Sequence, residues 1–156
     1  IGLELAAKMG GQAEFPFDGP PYPPFLQWAS RTGQVFTSPI SLSIHRQYGL
    51  WHAYRFALLF PGRAIEEMDD AETTSPCDSC KKQPCLRSCP VNAFSAGIYR
   101  VEECVDYLRQ DAVSPCRSNG CAARHSCPEA REFHYDPEHA RFHMDAFLKS
   151  RFSDPE

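Results

Sequence analysis

The chain has 156 residues, of which 42% are hydrophobic, and its formal net charge at pH 7 is −4. This length suggests one domain, or one small domain with an appended module, and the composition is sufficient for a hydrophobic core. Because the net charge is slightly negative, we expect neither nucleic acid nor an anionic membrane surface as a partner. The longest apolar run, Phe56–Phe60, is far shorter than the roughly twenty residues of a membrane span.

The chain begins at Ile1 and enters a helical pattern at once, so we expect its start to be truncated. The visible N-terminal residues contain no basic stretch followed by an apolar stretch, which predicts no secretory signal. We therefore expect a cytoplasmic protein.

Residues 1–65 mix helical and extended patterns, and we predict that they form a small N-terminal α/β subdomain. Leu3–Met9 predicts the end of a helix, Gln12–Phe17 a short strand, and Phe25–Thr32 one or two helical turns. The four prolines within Asp18–Phe25 require an extended or turn-like backbone.

Two later segments predict strands of the same subdomain. The segment ISLSI alternates apolar and polar residues, which predicts a half-buried strand with Ile40, Leu42 and Ile44 on one face. A turn is predicted at Arg46–Gly49. Leu50–Phe60 is apolar on both faces, which predicts a fully buried central strand, with a buried helix as the alternative. Its aromatic side chains are expected in the core.

All eight cysteines lie in the second half of the chain, between Cys77 and Cys127. They follow the acidic segment Glu66–Thr74, which we predict to be a solvated linker. Residues 75–135 are therefore predicted to form a separate cysteine module.

Two helices are predicted within and behind this module. Val101–Gln110 predicts a short helix that carries Cys104. Residues 136–152 predict a C-terminal helix that packs back on the core, because Asp136 can cap it and Pro137 can occupy its first position. The residues expected on its packed face are Phe142, Ala146 and Phe147.

The spacing of the cysteines predicts sites for an inorganic cofactor. The pattern C-x2-C-x4-C-x3-C-P ends at Pro90, Cys104 stands alone, and C-x4-C-x5-C-P ends at Pro128. In two-cluster ferredoxins the cysteine before proline ligates the other cluster, and two Cys-Pro endings fit such an exchange. Eight cysteines also divide into two sets of four, as two [4Fe–4S] clusters require. The candidate metal ligands are Cys77, Cys80, Cys85, Cys89, Cys104, Cys116, Cys121 and Cys127.

Zinc and disulfides are the competing interpretations. Two four-thiolate zinc sites would use all eight cysteines, although only Cys77 and Cys80 have the C-x2-C spacing of a zinc knuckle. Disulfides usually spread through a small fold that lacks a core, whereas these cysteines cluster beside a segment rich in aromatic residues. We therefore favour iron–sulfur clusters over zinc, and zinc over disulfides.

The region Ser75–Glu129 resembles bacterial two-cluster ferredoxins and, more closely, the cluster module of epoxyqueuosine reductases. CDSCKKQPCLRSCPVNAF is similar to the first motif of that module, VEECVDYLRQ to its cysteine-bearing helix, and GCAARHSCP to its closing motif. The resemblance implies a ferredoxin-type module of loops and short helices. It also implies that one cluster is held by Cys77, Cys80, Cys85 and Cys127, and the other by Cys89, Cys104, Cys116 and Cys121.

The sequence departs from these patterns at two places. Four residues separate Cys80 from Cys85, where the bacterial pattern has two. The closing motif lacks its usual middle cysteine, and Cys116, which lies upstream, is the candidate substitute.

The segment Ser41–Gly62 is similar to part of the cobalamin-trafficking decyanase family. The shared features are a histidine, an aromatic-glycine turn, an aromatic strand and Pro-Gly. This similarity implies descent from a fold that handles cobalamin or flavin, with His52 and Tyr54 as the residues to test. The sequence contains no nucleophile–base pair, phosphate loop or paired acid/base signature, so we assign no catalytic residue.

The histidines are expected to have mainly structural roles. His139 and His143 stand four positions apart on a predicted helix and could ligate a metal, but no third ligand is evident, so surface or packing roles are favoured. His125 lies within the second cysteine motif, where shielding or hydrogen-bonding a cluster is favoured over ligation.

Together these patterns predict an α+β protein that transfers single electrons through two [4Fe–4S] clusters. The expected partner is a redox protein or a small-molecule acceptor, with a corrinoid and a flavin as the candidates. One alternative is a reductase whose own N-terminal part binds cobalamin. Another is a zinc-stabilised interaction protein without a redox role.

Overall fold

The computed structural model describes residues 1–62, 74–95, 97–110 and 113–151, and it confirms a mixed α+β architecture. The chain forms two compact units. The first unit consists of residues 1–36 and 52–74, and the second of residues 37–51 and 75–156. Residues 37–51 thus group with the cysteines, whereas the sequence places them in the N-terminal subdomain. Apart from Thr74, the predicted acidic linker lies outside the described residues.

The helices and strands are short. The helices are α1 (Gly2–Met9), α2 (Phe25–Arg31), α3 (Pro76–Ser79), α4 (Pro84–Arg87), α5 (Val101–Gln110), α6 (Pro115–Ser118), α7 (Ala122–His125) and α8 (Pro137–Lys149). The strands are β1 (Gln12–Glu14), β2 (Val35–Thr37), β3 (Ser43–His45), β4 (Ala57–Leu59), β5 (Phe94–Ser95) and β6 (Ile98–Tyr99). A 3-10 turn spans Arg131–Phe133. Among the described helices, none has both the length and the apolar character that crossing a membrane requires.

The first unit is built around the antiparallel pair of β1 and β4, in which Gln12 stands opposite Leu59. Helix α1 ends where Gly10 adopts a left-handed conformation with φ of 71°, and the next residue, Gly11, donates its backbone N–H to the carbonyl of Ala6. Glycine adopts this conformation at little cost, so it ends the helix and turns the chain into β1.

The prediction of a buried central strand at Leu50–Phe60 is wrong. Within this segment only β4 is a strand, it pairs with β1 alone among the described residues, and Leu59 is 38% exposed. Of its aromatic residues, Trp51 is buried as expected, whereas Tyr54, Phe56 and Phe60 are half-buried. The ring centroids of Tyr54 and Phe25 are 6.5 Å apart. Aromatic side chains can bury area against one another without a place in a wide sheet, and sequence periodicity does not separate these two situations.

The core of the second unit is formed by residues of α5, α6 and α8, namely Val105, Leu108, Cys116 and Leu148. Helix α5 has the bounds that the sequence predicts. The predicted start of α8 is also confirmed, because the carboxylate of Asp136 accepts a 2.9 Å hydrogen bond from the backbone N–H of His139.

The predicted packed face of α8 is largely wrong. Phe142 is 66% exposed and Ala146 is exposed, whereas Ala140 and Leu148 are buried. Residues 140, 144 and 148 repeat every four positions and therefore form one stripe, on which the helix packs. Phe147 borders this stripe and is partly buried against the core.

The segment 37–51 forms a hairpin-like loop in the second unit. Ile40 and Ile44 are each 1% exposed, but Leu42 is 40% exposed, so the predicted common face is wrong. The backbone of Ser41 has a φ of 60°, which breaks the alternation that a strand would impose. The predicted turn at residues 46–49 is confirmed by two 2.8 Å backbone hydrogen bonds between His45 and Gly49.

Candidate metal centres

Four thiols of the second unit line one cavity, which we call cavity A. Its volume is about 20 Å³. The cysteines that line it are Cys77, Cys80, Cys85 and Cys127. The rest of the wall is mainly apolar and includes Pro39, Ile40, Ile44, Leu50, Pro76, Pro84 and Pro128. Cavity A therefore combines sulfur donors with side chains that exclude water.

The local sequence places Cys77 and Cys80 at the two ends of α3. Ser75 caps the helix, since its hydroxyl accepts a 3.2 Å hydrogen bond from the N–H of Cys77. The carboxylate of Asp78 in turn accepts a 3.0 Å bond from the N–H of Ser75, which completes a capping box. Pro76 occupies the first helical position. These contacts fix the turn that presents both thiols to cavity A.

The electrostatics of the thiols also group them around cavity A. Burial is the main cause that raises the pKa of Cys77, a hydrogen bond with Ser75 opposes it, and repulsion from the thiolates of Cys127, Cys85 and Cys80 raises it further. Burial likewise raises the pKa of Cys127, and Cys85 and Cys80 repel its charge. Cys127, which is distant in sequence, is thus an electrostatic neighbour of the first motif.

The other four thiols line a second cavity in the same unit, which we call cavity B. Its volume is about 10 Å³. The cysteines that line it are Cys89, Cys104, Cys116 and Cys121. The remaining wall consists of Pro90, Val91, Phe94, Tyr107, Ala122, Ala123 and Met144. Like cavity A, it brings four thiols together among largely apolar side chains.

Short helices supply the thiols of cavity B. Cys104 lies on α5 and Cys116 on α6, while Cys121 directly precedes α7. Helix α6 is capped by Ser114, whose side chain is buried and accepts a hydrogen bond from the N–H of Arg117. This cap fixes the turn that carries Cys116.

The pKa values of these thiols report the same grouping. Burial raises the pKa of Cys121 to about 11, and repulsion from Cys116 and Cys104 adds to it. Burial also raises the pKa of Cys104, whereas a hydrogen bond with Tyr99 lowers it. In both cases the interacting thiols belong to cavity B.

Backbone N–H groups point at several of the sulfurs. The Sγ atom of Cys89 accepts a 3.3 Å hydrogen bond from the N–H of Ala93. Similar bonds from the backbone act against the larger pKa-raising effect of burial at Cys85, Cys116, Cys121 and Cys127. Such donors offset the negative charge of metal-bound thiolates. The donor chemistry of both cavities, four thiols with backbone N–H groups and apolar walls, therefore fits an iron–sulfur cluster.

All eight cysteines are free thiols, so disulfides do not account for their clustering. Within residues 1–62, 74–95, 97–110 and 113–151, no group of three or more His, Cys, Asp or Glu side chains is placed to hold a metal ion. An iron–sulfur cube carries its four thiolates on four separate irons, so its ligands need not converge on one point.

The sequence did not reveal the contribution of residues 37–51 to cavity A. Ile40, Ile44 and Leu50 form part of its wall. Arg124 helps to hold this segment, since its Nε donates a 3.1 Å hydrogen bond to the carbonyl of Leu50 and its guanidinium lies 4.4 Å from the ring centre of Trp51. The only sequence signal was the apolar character of the segment, which is equally typical of an unrelated core strand.

His125 lies beside Cys121 of cavity B rather than in the cavity wall. Its Nδ1 is 3.2 Å from the carbonyl oxygen of Cys121, and its ring centroid is 4.8 Å from that of Trp51. This position fits a side chain that shields and orients the loop carrying Cys121.

The first unit contains a separate open recess of about 460 Å³. It is lined by Pro16, Pro23, Pro24, Phe25, Leu26, Gln27 and Tyr54. The hydroxyl of Tyr54 lies 3.1 Å from Nε2 of His52, and burial raises the pKa of Tyr54. The structure thus brings together the two residues that the sequence selects as tests of cobalamin or flavin binding.

Comparison with known proteins gives no match to any protein-family model, curated protein or solved structure. The resemblance to epoxyqueuosine reductases and to the decyanase family therefore remains a prediction from the sequence.

Proposed function

We propose that this chain is an electron-transfer protein that holds two [4Fe–4S] clusters, one in cavity A and one in cavity B. The observation that carries the proposal is the division of its eight cysteines into two sets of four, each around its own cavity. Each set combines cysteines that are far apart in sequence, as ligands shared between two motifs would be.

A short segment of the chain connects the two cavities. Cys85 and Cys89 are four residues apart and belong to different cavities, so their Cα atoms are at most about 14 Å apart. Two centres joined by so short a segment are close enough to exchange electrons. The apolar walls would keep water from both centres, and the backbone N–H groups would stabilise the thiolate charge.

The direct test is analysis of iron, acid-labile sulfide and zinc in protein purified without oxygen. We expect about eight irons and about eight sulfides per chain, and broad visible absorption that bleaches on reduction. Protein that holds zinc and no sulfide would instead support the zinc-stabilised interaction protein, and the electron-transfer proposal would be abandoned.

The electron acceptor is proposed to be a redox protein or a small molecule, with corrinoids and flavins as the first candidates. The recess of the first unit supports a second candidate function, a reductase that binds its own cobalamin or flavin. Binding pockets for small molecules usually occupy about 300–1,000 Å³ and are lined by apolar and aromatic groups. The recess, with Phe25 and Tyr54 in its wall, has a volume in this range.

Titration of the intact protein with cobalamin, and separately with flavin mononucleotide, distinguishes the two functions. For a reductase, either ligand should change its absorption or fluorescence on binding. Tyr54→Ala should weaken that binding while leaving the iron content unchanged. If neither ligand binds, the electron carrier stands as the proposed function.

A further inference from the structure

Helix α8 carries two imidazoles that meet on its surface, outside both cysteine cavities. The Nε2 atoms of His139 and His143 lie 3.0 Å apart, and the ring centroids lie 4.8 Å apart. The two residues are one helical turn apart, the spacing at which side chains become neighbours. We infer that His139 and His143 form a binding site for one divalent transition-metal ion of the nickel or copper type.

The distance between the two nitrogens allows both of them to reach one ion. With metal–nitrogen bonds of about 2.0–2.1 Å, two nitrogens around an ion are about 2.9 Å apart at a right angle and about 3.3 Å apart at the tetrahedral angle. The 3.0 Å between the hydrogen-bonded nitrogens lies within this span, so only a small movement is needed for both to bind one ion. Imidazole is a ligand that suits nickel and copper, and the affinity of nitrogen donors for divalent ions rises through nickel to copper.

Neighbouring groups hold both imidazoles in place. The ring of Tyr135 stacks on His139 at 4.0 Å between centroids and lies 5.2 Å from His143, nearly parallel to both. The guanidinium of Arg124 lies 4.7 Å from the centre of the Tyr135 ring. The backbone of His139 is tied to the helix cap at Asp136. A site fixed in this way loses little conformational freedom when it binds an ion.

The protons of the two imidazole rings occupy different positions with and without a bound metal ion. Without metal, one Nε2 donates its proton to the other in a hydrogen bond. With metal, both rings carry their proton on Nδ1 and both Nε2 lone pairs bind the ion. No proton is lost from neutral rings in this exchange. Because His139 is exposed, water can fill the remaining coordination positions.

The test uses untagged, anaerobically purified protein and nickel chloride as the probe, followed by isothermal titration calorimetry. Nickel is preferred because copper(II) would oxidise the thiols. Wild type should bind one nickel ion in a step that His139→Gln and His143→Gln each weaken at least tenfold. His52→Gln, which removes a histidine of the first unit, is the matched control and should leave the step unchanged. Circular dichroism checks that α8 is intact in each variant.

Chromatography on immobilised nickel gives a second readout. Wild type and His52→Gln should need more imidazole for elution than either helix variant. Nickel bound by thiols would be retained equally by the wild type and the three variants. The difference in elution between these proteins therefore reports only nickel bound by His139 and His143. The inference is overturned if wild type binds no nickel, or if both helix variants bind it as wild type does. Iron and sulfide content, measured on the same samples, tests the electron-transfer proposal separately.

Discussion

Cys85 and Cys89 stand four residues apart, yet their thiols line different cavities. Cys85 lies within α4, whose last helical residue is Arg87, and the chain then turns at Cys89-Pro90. The thiol of Cys89 is oriented instead by the N–H of Ala93. A single short segment thus supplies one ligand to each proposed centre, and Cys127 completes the set to which Cys85 belongs.

The first prediction concerns this crossing. We expect Cys127→Ser to perturb the centre in cavity A and Cys89→Ser the centre in cavity B, because each removes one of four thiols. Each variant should lose about half of the iron and sulfide, that is, about four of about eight irons. Electron paramagnetic resonance of the reduced protein should show which centre remains. Ser88→Ala, a substitution beside Cys89, is the control and should retain both centres. The assignment is wrong if Cys127→Ser and Cys89→Ser affect the same centre.

The second prediction concerns the charge beside cavity A. Lys81 and Lys82 are exposed between two of its cysteines, and neither forms an ion pair within the described part of the chain. Positive charge favours the reduced, more negative state of a cluster. Changing both to Gln should therefore lower the reduction potential of the cavity A centre, by about 20 mV per charge if each acts through water over about 10 Å.

The matched control for this experiment is Lys8→Gln with Arg31→Gln, two exposed residues of the first unit with the same loss of charge. Potentiometric titration monitored by visible absorption measures both proteins. An equal shift in the two double variants would show that overall charge, not the position of Lys81 and Lys82, sets the potential. The difference should also shrink in concentrated salt, because salt screens exposed charges.

The third prediction concerns the contact between the hairpin-like loop and the loop that follows Cys127. A methyl group at Gly49 would lie 2.8 Å from the carbonyl oxygen of Glu129, and the backbone there has a φ of 54°. Gly49→Ala should therefore lower the free energy of unfolding by about 2–4 kcal/mol, combining left-handed strain with a clash. Denaturant unfolding of the metal-free protein measures this loss.

Gly97→Ala provides a control for the strain alone. Gly97 has a φ of 77°, and a methyl group there meets nothing within 4 Å. Gly97→Ala should lower the free energy of unfolding by only about 1–2 kcal/mol. If the two variants lose the same stability, the close approach of Gly49 to Glu129 has no energetic effect.

The fourth prediction concerns Arg124, which joins the segment 37–51 to the cysteine loops. Its guanidinium donates to the carbonyl of Leu50 and lies over the rings of Trp51 and Tyr135. Lysine keeps the charge but has no planar fork to make both contacts. Arg124→Lys should therefore cost about 1–3 kcal/mol of unfolding free energy, and Arg131→Lys, an exposed position nearby in sequence, almost nothing. Equal stability of the two variants would contradict the role assigned to Arg124.

Local signals in the sequence predicted part of this fold. Helix α5 and the start of α8 follow from features that act within a few residues, such as the side chain of Asp136 bonding its own helix. The strand predicted over Leu50–Phe60 failed because a strand needs a partner, and the sequence does not show that only three residues pair with β1. The exposed Leu42 reflects the positive φ of Ser41, which no neighbouring residue type demands.

The candidate sites, like the fold, were predicted from the sequence only where local signals determine them. Cysteine spacing and a family resemblance suggested the two ligand sets, since each Cys-Pro ending marks a thiol that leaves its own motif. The walls of cavity A could not be predicted, because Ile40 and Leu50 reach it through tertiary packing. The approach of His139 to His143 depends on their rotamers, which four-residue spacing alone does not fix, and on the ring of Tyr135, which stacks on His139.

The last prediction concerns the pH dependence of the metal-free protein. Burial raises the pKa of Cys121 to about 11, above the ordinary thiol value of about 8.5. A group whose pKa is raised on folding stabilises the folded state below its unfolded pKa, and this contribution is lost as pH rises toward the folded pKa. The metal-free protein should therefore lose unfolding free energy between about pH 8.5 and pH 11, by up to about 1.4 kcal/mol per pH unit for this thiol. Cys121→Ser, which does not ionise in this range, should show a shallower slope in urea unfolding at several pH values. If the variant and the wild type have parallel pH profiles, Cys121 is not a buried neutral thiol in the metal-free fold.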